Sequence, residues 1–109
     1  MKSVALITGA SSGIGLELAR IHARKGNDLV IVSRKMADLE KVKKELEGKH
    51  KVKVVCLPKD LSVPYAAKEL YDEVKQLNIR VDYLINNAGF GGVGYFHERT
   101  WVTKLLQQI

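Results

Sequence analysis

Four short apolar runs recur along the chain: SVALIT (Ser3 to Thr8), DLVIVS (Asp28 to Ser33), VKVVCL (Val52 to Leu57) and VDYLIN (Val81 to Asn86). Each is continuous rather than alternating, rich in Val, Ile and Leu, and too short for a core helix. Such runs suit strands covered on both faces. The stretches between them carry apolar residues at helical spacing: Ile14, Leu18 and Ile21 in the first, Leu39, Val42 and Leu46 in the second, Ala66, Leu70, Val74 and Leu77 in the third. Gly26 and Asn27 stop the first helix and Gly48 the second, while Ser62 is placed to cap the third with Pro64 in its first turn. A glycine-rich loop, GFGGVGYF (Gly89 to Phe96), follows the fourth run, and a last helical pattern starts near Glu98.

Strands that alternate with helices build parallel βαβ units, and right-handed crossovers place helices on both faces of the sheet. The expected architecture is α/β, a doubly wound, Rossmann-like parallel sheet with strand order 3-2-1-4, in one domain over residues 1–109. Strands one and four then adjoin where the order reverses. Their carboxyl ends, at Thr8 to Gly9 and at Asn86 to Gly89, open into one crevice.

TGASSGIG (Thr8 to Gly15) sits at that crevice, between a buried strand and an amphipathic helix. Gly9 lets the chain turn sharply, Gly13 lies where the backbone approaches a ligand, and Gly15 lets the helix pack closely on the sheet. The helix aims its first amides and positive dipole end at whatever occupies the turn. Ser11 and Ser12 add hydroxyl donors. The arrangement suits a pyrophosphate, although three glycines alone also make a plain turn.

The spacing is TGxxxGxG. With NNAG at Asn86 to Gly89, and with Asp60-Leu61 after the third strand, it resembles the short-chain dehydrogenase/reductase family over essentially the whole chain. The resemblance implies a cofactor cleft in which Gly9, Ser11, Ser12, Gly13, Ile14 and Gly15 hold the phosphates, Asp60 and Leu61 meet the adenine, and Asn87, Ala88 and Gly89 lie behind the adenosine ribose. Asn86 and Asn87 would also tie the fourth strand to its neighbours.

The end of the second strand separates NADP from NAD. An NAD site places an acid there to hold the ribose 2′-hydroxyl, and that acid would repel a 2′-phosphate. Here Ser33 stands in its place, and Arg34 and Lys35 follow. A guanidinium binds phosphate through paired hydrogen bonds. NADP(H) is therefore favoured over NAD(H).

The resemblance also implies hydride transfer between the nicotinamide and a small-molecule carbonyl or alcohol, with a serine, a tyrosine and a lysine four residues later moving the proton. The chain holds one YxxxK, Tyr71 to Lys75. It precedes NNAG, whereas the family pair follows it, and it lies on the third helix; Tyr71 and Lys75 read as an exposed helix pair. The family serine, its Tyr-Lys pair and the asparagine of its water relay would fall beyond Ile109, so no catalytic residue is assigned. The expectation is a fragment of a longer reductase whose later strands are missing and which binds cofactor without turnover. The alternatives are two copies pairing as a homodimer through strand four, and a stand-alone, non-catalytic dinucleotide-binding, sensing or interaction module.

Other classes find little support. The net charge of +6 favours anionic ligands. Eight lysines between Lys35 and Lys59 read as a solvated helix face and its following loop; they lack the interleaved aromatics of a single-strand nucleic-acid binder. Cys56 is the single cysteine and reads as a small buried hydrophobe, which excludes an intramolecular disulfide framework. His22, His50 and His97 show no metal spacing. No run approaches membrane-spanning length or resembles a signal peptide, so the expected setting is cytoplasmic.

Overall fold

The computed structural model describes residues 2–63 and 65–87. Its elements run β1 (Val4–Thr8), α1 (Gly13–Arg24), β2 (Asp28–Ser33), α2 (Met36–Lys49), β3 (Val54–Pro58), α3 (Ala66–Gln76) and β4 (Tyr83–Ile85). The four strands are parallel, in the order β3-β2-β1-β4.

Successive strand residues feed two separate cores. Ala5 and Ile7 of β1, with Leu29 and Ile31 of β2, face α1 and α2 and pack with Ala19, Ala23, Leu39, Val42 and Leu46. Leu6, Val30, Val32 and Leu84 face the other way and pack with Ala66, Leu70 and Val74 of α3. Burial on both faces is why the strand runs are uniformly apolar.

Helix termini follow local chemistry. After α1 the chain closes a Schellman motif: Gly26, at φ +83°, donates its amide to Ala23 O, and Asn27 donates to His22 O. Asn78 does the same after α3 at φ +61°, with its own amide on Lys75 O and that of Ile79 on Val74 O.

Several expectations need correction. The buried residues of α1 are Gly15, Ala19 and Ala23, whereas Ile14 is 48% exposed and Leu18 and Ile21 are only part-buried. Close seating of the helix on the sheet demands small side chains, so the bulkier stripe is turned to the flank. Gly48 lies inside α2, which runs on to Lys49. Leu77 is exposed beyond the end of α3. Ser62 does not cap α3: the capping position is Tyr65, in the left-handed region, with no side-chain bond, while the Ser62 hydroxyl is spent on Asp60.

β3 starts two residues later than expected because carboxylates hold its approach. Asp28 Oδ1 accepts from the Lys53 amide at 2.8 Å, and Glu47 Oε2 accepts from the Val54 amide at 2.9 Å. β4 is short: before it, the Asp82 amide bonds to Val4 O at 2.9 Å, while the Val4 amide is taken by the Asp82 side chain, at Oδ2, at 2.9 Å. Among the described residues, no helix is long and apolar enough to cross a membrane.

Candidate functional site

β1 ends in Thr8, which is fully buried. Its hydroxyl donates to Asn86 Oδ1 at 2.8 Å and accepts from the Asn87 amide at 2.8 Å. One side chain thereby clamps the carboxyl ends of β1 and β4 side by side, as expected of the two asparagines. Asn86 Nδ2 is buried without a hydrogen-bond partner among the described residues.

From Thr8 the chain turns through Gly9, at φ +64°. Ala10 is pinned to β2 by its amide on Val32 O at 3.3 Å, and the Ser11 and Ser33 hydroxyls meet at 2.9 Å. Ser11 therefore spans from the turn to the end of β2. Ser12 is the capping residue of α1, but its hydroxyl makes no bond back to the helix, and the first turn holds no acidic residue. The positive end of the helix dipole thus meets no side-chain counter-charge from its own first turn.

Gly13 and Gly15 are required for different reasons. Gly13 has φ +57°, which an L side chain tolerates poorly, yet a Cβ built there touches nothing within 4 Å. Backbone conformation thus demands glycine at this position; within the chain itself, space does not. At Gly15 the constraint is space. A Cβ there would lie 2.7 Å from the Gly9 carbonyl carbon, closer still to its oxygen, and 2.9 Å from Asn87 Nδ2. α1 is seated directly on the turn and under Asn87.

A cleft of about 560 Å³ opens above this floor. That lies within the usual range for small-ligand sites, roughly 300–1,000 Å³. Its lining gathers Gly9, Ser11, Ser12, Gly13 and Ile14 from the turn, Ser33 and Arg34 from the end of β2, Asp60 and Leu61 after β3, and Asn87 after β4. Segments far apart in the chain thus converge at the carboxyl edge of the sheet. Gly15 lies buried beneath, and Lys35 is exposed outside the lining as the capping residue of α2. Ala88, Gly89, the glycine-rich loop and His97 lie outside the described residues.

Val32, Lys59 and Ser62 also line the cleft and were not expected there: Ser62 was read as a helix cap and Lys59 as one of a solvated lysine cluster. Asp60 and Ser62 form a tight turn: Asp60 Oδ1 accepts from the Ser62 hydroxyl at 2.6 Å and from its amide at 3.0 Å. Those two bonds, helped by the Arg34 charge, hold the Asp60 carboxyl below the usual carboxylate range. Arg34 is exposed and makes no ion pair among the described residues. Lys59 differs from the other lysines of its cluster. Its side chain is 14% exposed and sits between Glu69 and Glu73 of α3. Burial opposes its charge, but the bonds to Glu73 and Glu69 prevail and hold the ammonium above its ordinary range. Glu69 and Glu73 lie one turn apart on one helix face, but nothing in the sequence names the cation that meets them.

Neither remaining chemical candidate from the sequence forms a site. Tyr71 is part-buried against the α3-side core rather than exposed, and Lys75 is exposed, so the YxxxK belongs to helix packing. Cys56 packs against the other core, and burial pushes its thiol up, away from reactivity. No group of His, Cys, Asp and Glu among the described residues could hold a metal.

The family model for the short chain dehydrogenases matches residues 3–105, and the chain belongs to that family. It is 40% identical over 87 residues to a very-long-chain 3-oxoacyl-CoA reductase of Candida glabrata, covering 78% of this chain and 24% of that protein. It is 37% identical over 101 residues to the 11-beta-hydroxysteroid dehydrogenase-like 3 protein of Arabidopsis thaliana, covering 93% and 33%. Its fold superposes on the L-sorbose reductase of Gluconobacter frateurii, solved with NADPH and L-sorbose, with a TM-score of 0.79 and 27% identity over 99% of this chain and 46% of that one. An alcohol dehydrogenase from Thermococcus sibiricus, solved with 5-hydroxy-NADP, gives a TM-score of 0.79 and 30% identity over 99% and 52%. The chain thus spans a quarter to a third of these curated relatives and about half of these solved structures.

Proposed function

We propose that this chain is the NADP(H)-binding part of an oxidoreductase that moves hydride between the nicotinamide and a carbonyl or alcohol. The observation that carries the reading is the end of β2. Ser33 occupies the position of the discriminating acid and bonds to Ser11, and Arg34 lines the cleft beside it with no ion pair among the described residues.

The residues present fit the group. The turn from Gly9 to Gly13 and the uncapped start of α1 suit a pyrophosphate, and the Ser11 and Ser12 hydroxyls add donors. Arg34 reads a 2′-phosphate through charge-assisted hydrogen bonds, with Lys35 adding positive charge at the rim. The Asp60–Ser62 turn and Leu61 wall the adenine side, and Asn87 closes the floor by α1. When bound, the cofactor supplies the hydride. The chain's own work is to hold the phosphates, discriminate the ribose and orient the dinucleotide along the carboxyl edge of the sheet. By the family pattern the residues that move the proton follow NNAG, and none is assigned among residues 1–109. That the related structures hold NADPH or an NADP derivative supports the cofactor class.

Calorimetric titration with NADPH and NADH tests the reading. The wild-type chain binds NADPH more tightly. Arg34→Asp lowers NADPH affinity by roughly ten- to a hundred-fold, the worth of a charge-assisted contact, and leaves NADH affinity nearly unchanged. An unaltered NADPH affinity in that variant would refute the 2′-phosphate contact.

A further inference from the structure

We infer that Lys59 is a positioning residue: by bridging to Glu69 and Glu73 it holds the Asp60–Ser62 wall of the cleft in the shape that receives the adenosine end of the cofactor. The inference rests on the dinucleotide reading above.

The geometry gives Lys59 two anchors. Its amide donates to Ser33 O at 2.8 Å, which fixes its backbone to the end of β2. Its ammonium lies 3.2 Å from Glu69 Oε2 and 3.0 Å from Glu73 Oε1, which fixes its tip to α3. The wall follows directly in sequence. Asp60 closes it internally, through its carboxylate on Ser62 and through its carbonyl oxygen, which accepts from the Val63 amide at 3.2 Å. Those bonds shape the turn but do not tie it to the helix behind it. At its far end the wall meets α3 through the Ala66 amide on Val63 O at 3.2 Å, and Leu61 shares a core with Ala66, Leu70 and Val74. The capping position, Tyr65, makes no side-chain cap, and the ion pairs of Lys59 are what fix the near end of the wall to the middle of the helix.

The charges explain why the bridge is specific. Glu69 and Glu73 stand at i and i+4, where like charges repel. One ammonium between them relieves that repulsion and is committed to both. Lys59 lines the cleft, therefore, without being a free cation for a cofactor phosphate. Arg34, which has no ion pair among the described residues, fills that role. The two residues predict different signatures. Arg34 discriminates NADPH from NADH, whereas Lys59 acts on the part the two share.

Lys59→Met removes the bridge and keeps the apolar stem. If the wall is then formed in about one molecule in five, apparent Kd rises about five-fold. NADPH and NADH affinities fall by the same factor, and their ratio is unchanged. In the cofactor-free protein, amide hydrogen exchange at Ser62 and Val63 speeds up. Lys59→Arg restores both readouts. Glu73→Gln, at a more exposed site, gives a smaller loss of the same kind and serves should Lys59→Met fail to fold. A loss confined to NADPH would overturn the inference, since Lys59 would then be a phosphate ligand. So would unchanged affinities, or exchange rates equal to wild type. A wild-type chain that binds neither dinucleotide would instead overturn the cofactor reading, and with it the role assigned to the wall.

Discussion

Substituting Gly15 by alanine tests how the cleft is built. In a helix interior the exchange ordinarily stabilises by about 0.5–1 kcal/mol, because alanine loses less backbone freedom. Here the new Cβ would sit 2.7 Å from the Gly9 carbonyl carbon and 2.9 Å from Asn87 Nδ2. Carbon atoms pack best at about 3.5–4.0 Å, so the shortfall is about 1 Å. The obstructing atom at Gly9 is backbone and cannot rotate away. α1 must lift from the turn, at the upper end of the roughly 1–3 kcal/mol cost of overpacking. Subtracting the propensity gain leaves a net loss of about 2 kcal/mol. For a chain of this size that lowers Tm by about 8 °C, at about 4 °C per kcal/mol. Gly48→Ala is the internal control. It lies in α2, with nothing within 4 Å of its Cβ, and should raise Tm by about 2–4 °C. Thermal and urea unfolding of both variants, followed by circular dichroism, reads the two signs. A Gly15→Ala chain that melts at or above the wild-type temperature would refute the close approach of α1 to Gly9.

Three further outcomes are expected. Thr8→Val strips the hydroxyl that serves Asn86 and Asn87; urea unfolding should show a loss of about 2–4 kcal/mol for the buried groups left unpaired, whereas Thr8→Ser should stay within about 1 kcal/mol. Asn78→Gly should stabilise by about 0.5–1 kcal/mol, since Asn78 holds φ +61° at the end of α3; a drop in Tm would show that its side chain matters more than its backbone. Stability should fall as pH drops below the ordinary histidine range. Burial, then the nearby Lys25 charge, lowers the His22 pKa in the fold, so the unfolded chain takes up its proton first. Stability is complete above the unfolded pKa of about 6.5 and is lost toward the lower folded value. His22 also lies tilted against Tyr83, and its Nδ1 accepts from the side-chain Nδ2 of Asn27 at 2.9 Å. His22→Gln should flatten that part of the pH–stability curve, and an unchanged curve would remove His22 as its source.

Strand order and the location of the cleft were legible in the sequence. Continuous apolar runs separated by helical spacing leave few arrangements open to a parallel sheet, and a glycine turn after the first run lies at the edge where the order reverses. Of the ten expected residues that line the cleft, five follow from one contiguous turn, Ser33 and Arg34 from the end of the second apolar run, and Asp60, Leu61 and Asn87 from the family resemblance. The buried faces of α2 and α3 were legible too, but that of α1 was not. Periodicity favoured the bulky stripe Ile14, Leu18 and Ile21, yet packing buried Gly15, Ala19 and Ala23. A one-dimensional pattern registers hydrophobic size; a helix seated on a turn is governed by how near its backbone must come.

The division has a physical basis. Backbone demands are local: the Gly26–Asn27 stop, the sharp turn at Gly9 and the apolar strands follow from neighbouring residues, so they can be read along the chain. Pairings between distant segments are not local. Nothing near Lys59 in sequence signals that it bridges to Glu69 and Glu73, nothing near Thr8 that it serves Asn86 and Asn87, and nothing near Ser11 that it meets Ser33. Those contacts exist because the sheet brings four loop ends to one edge. They are what turns a glycine turn after a strand into a cleft with walls, a floor and an exposed cation in its lining.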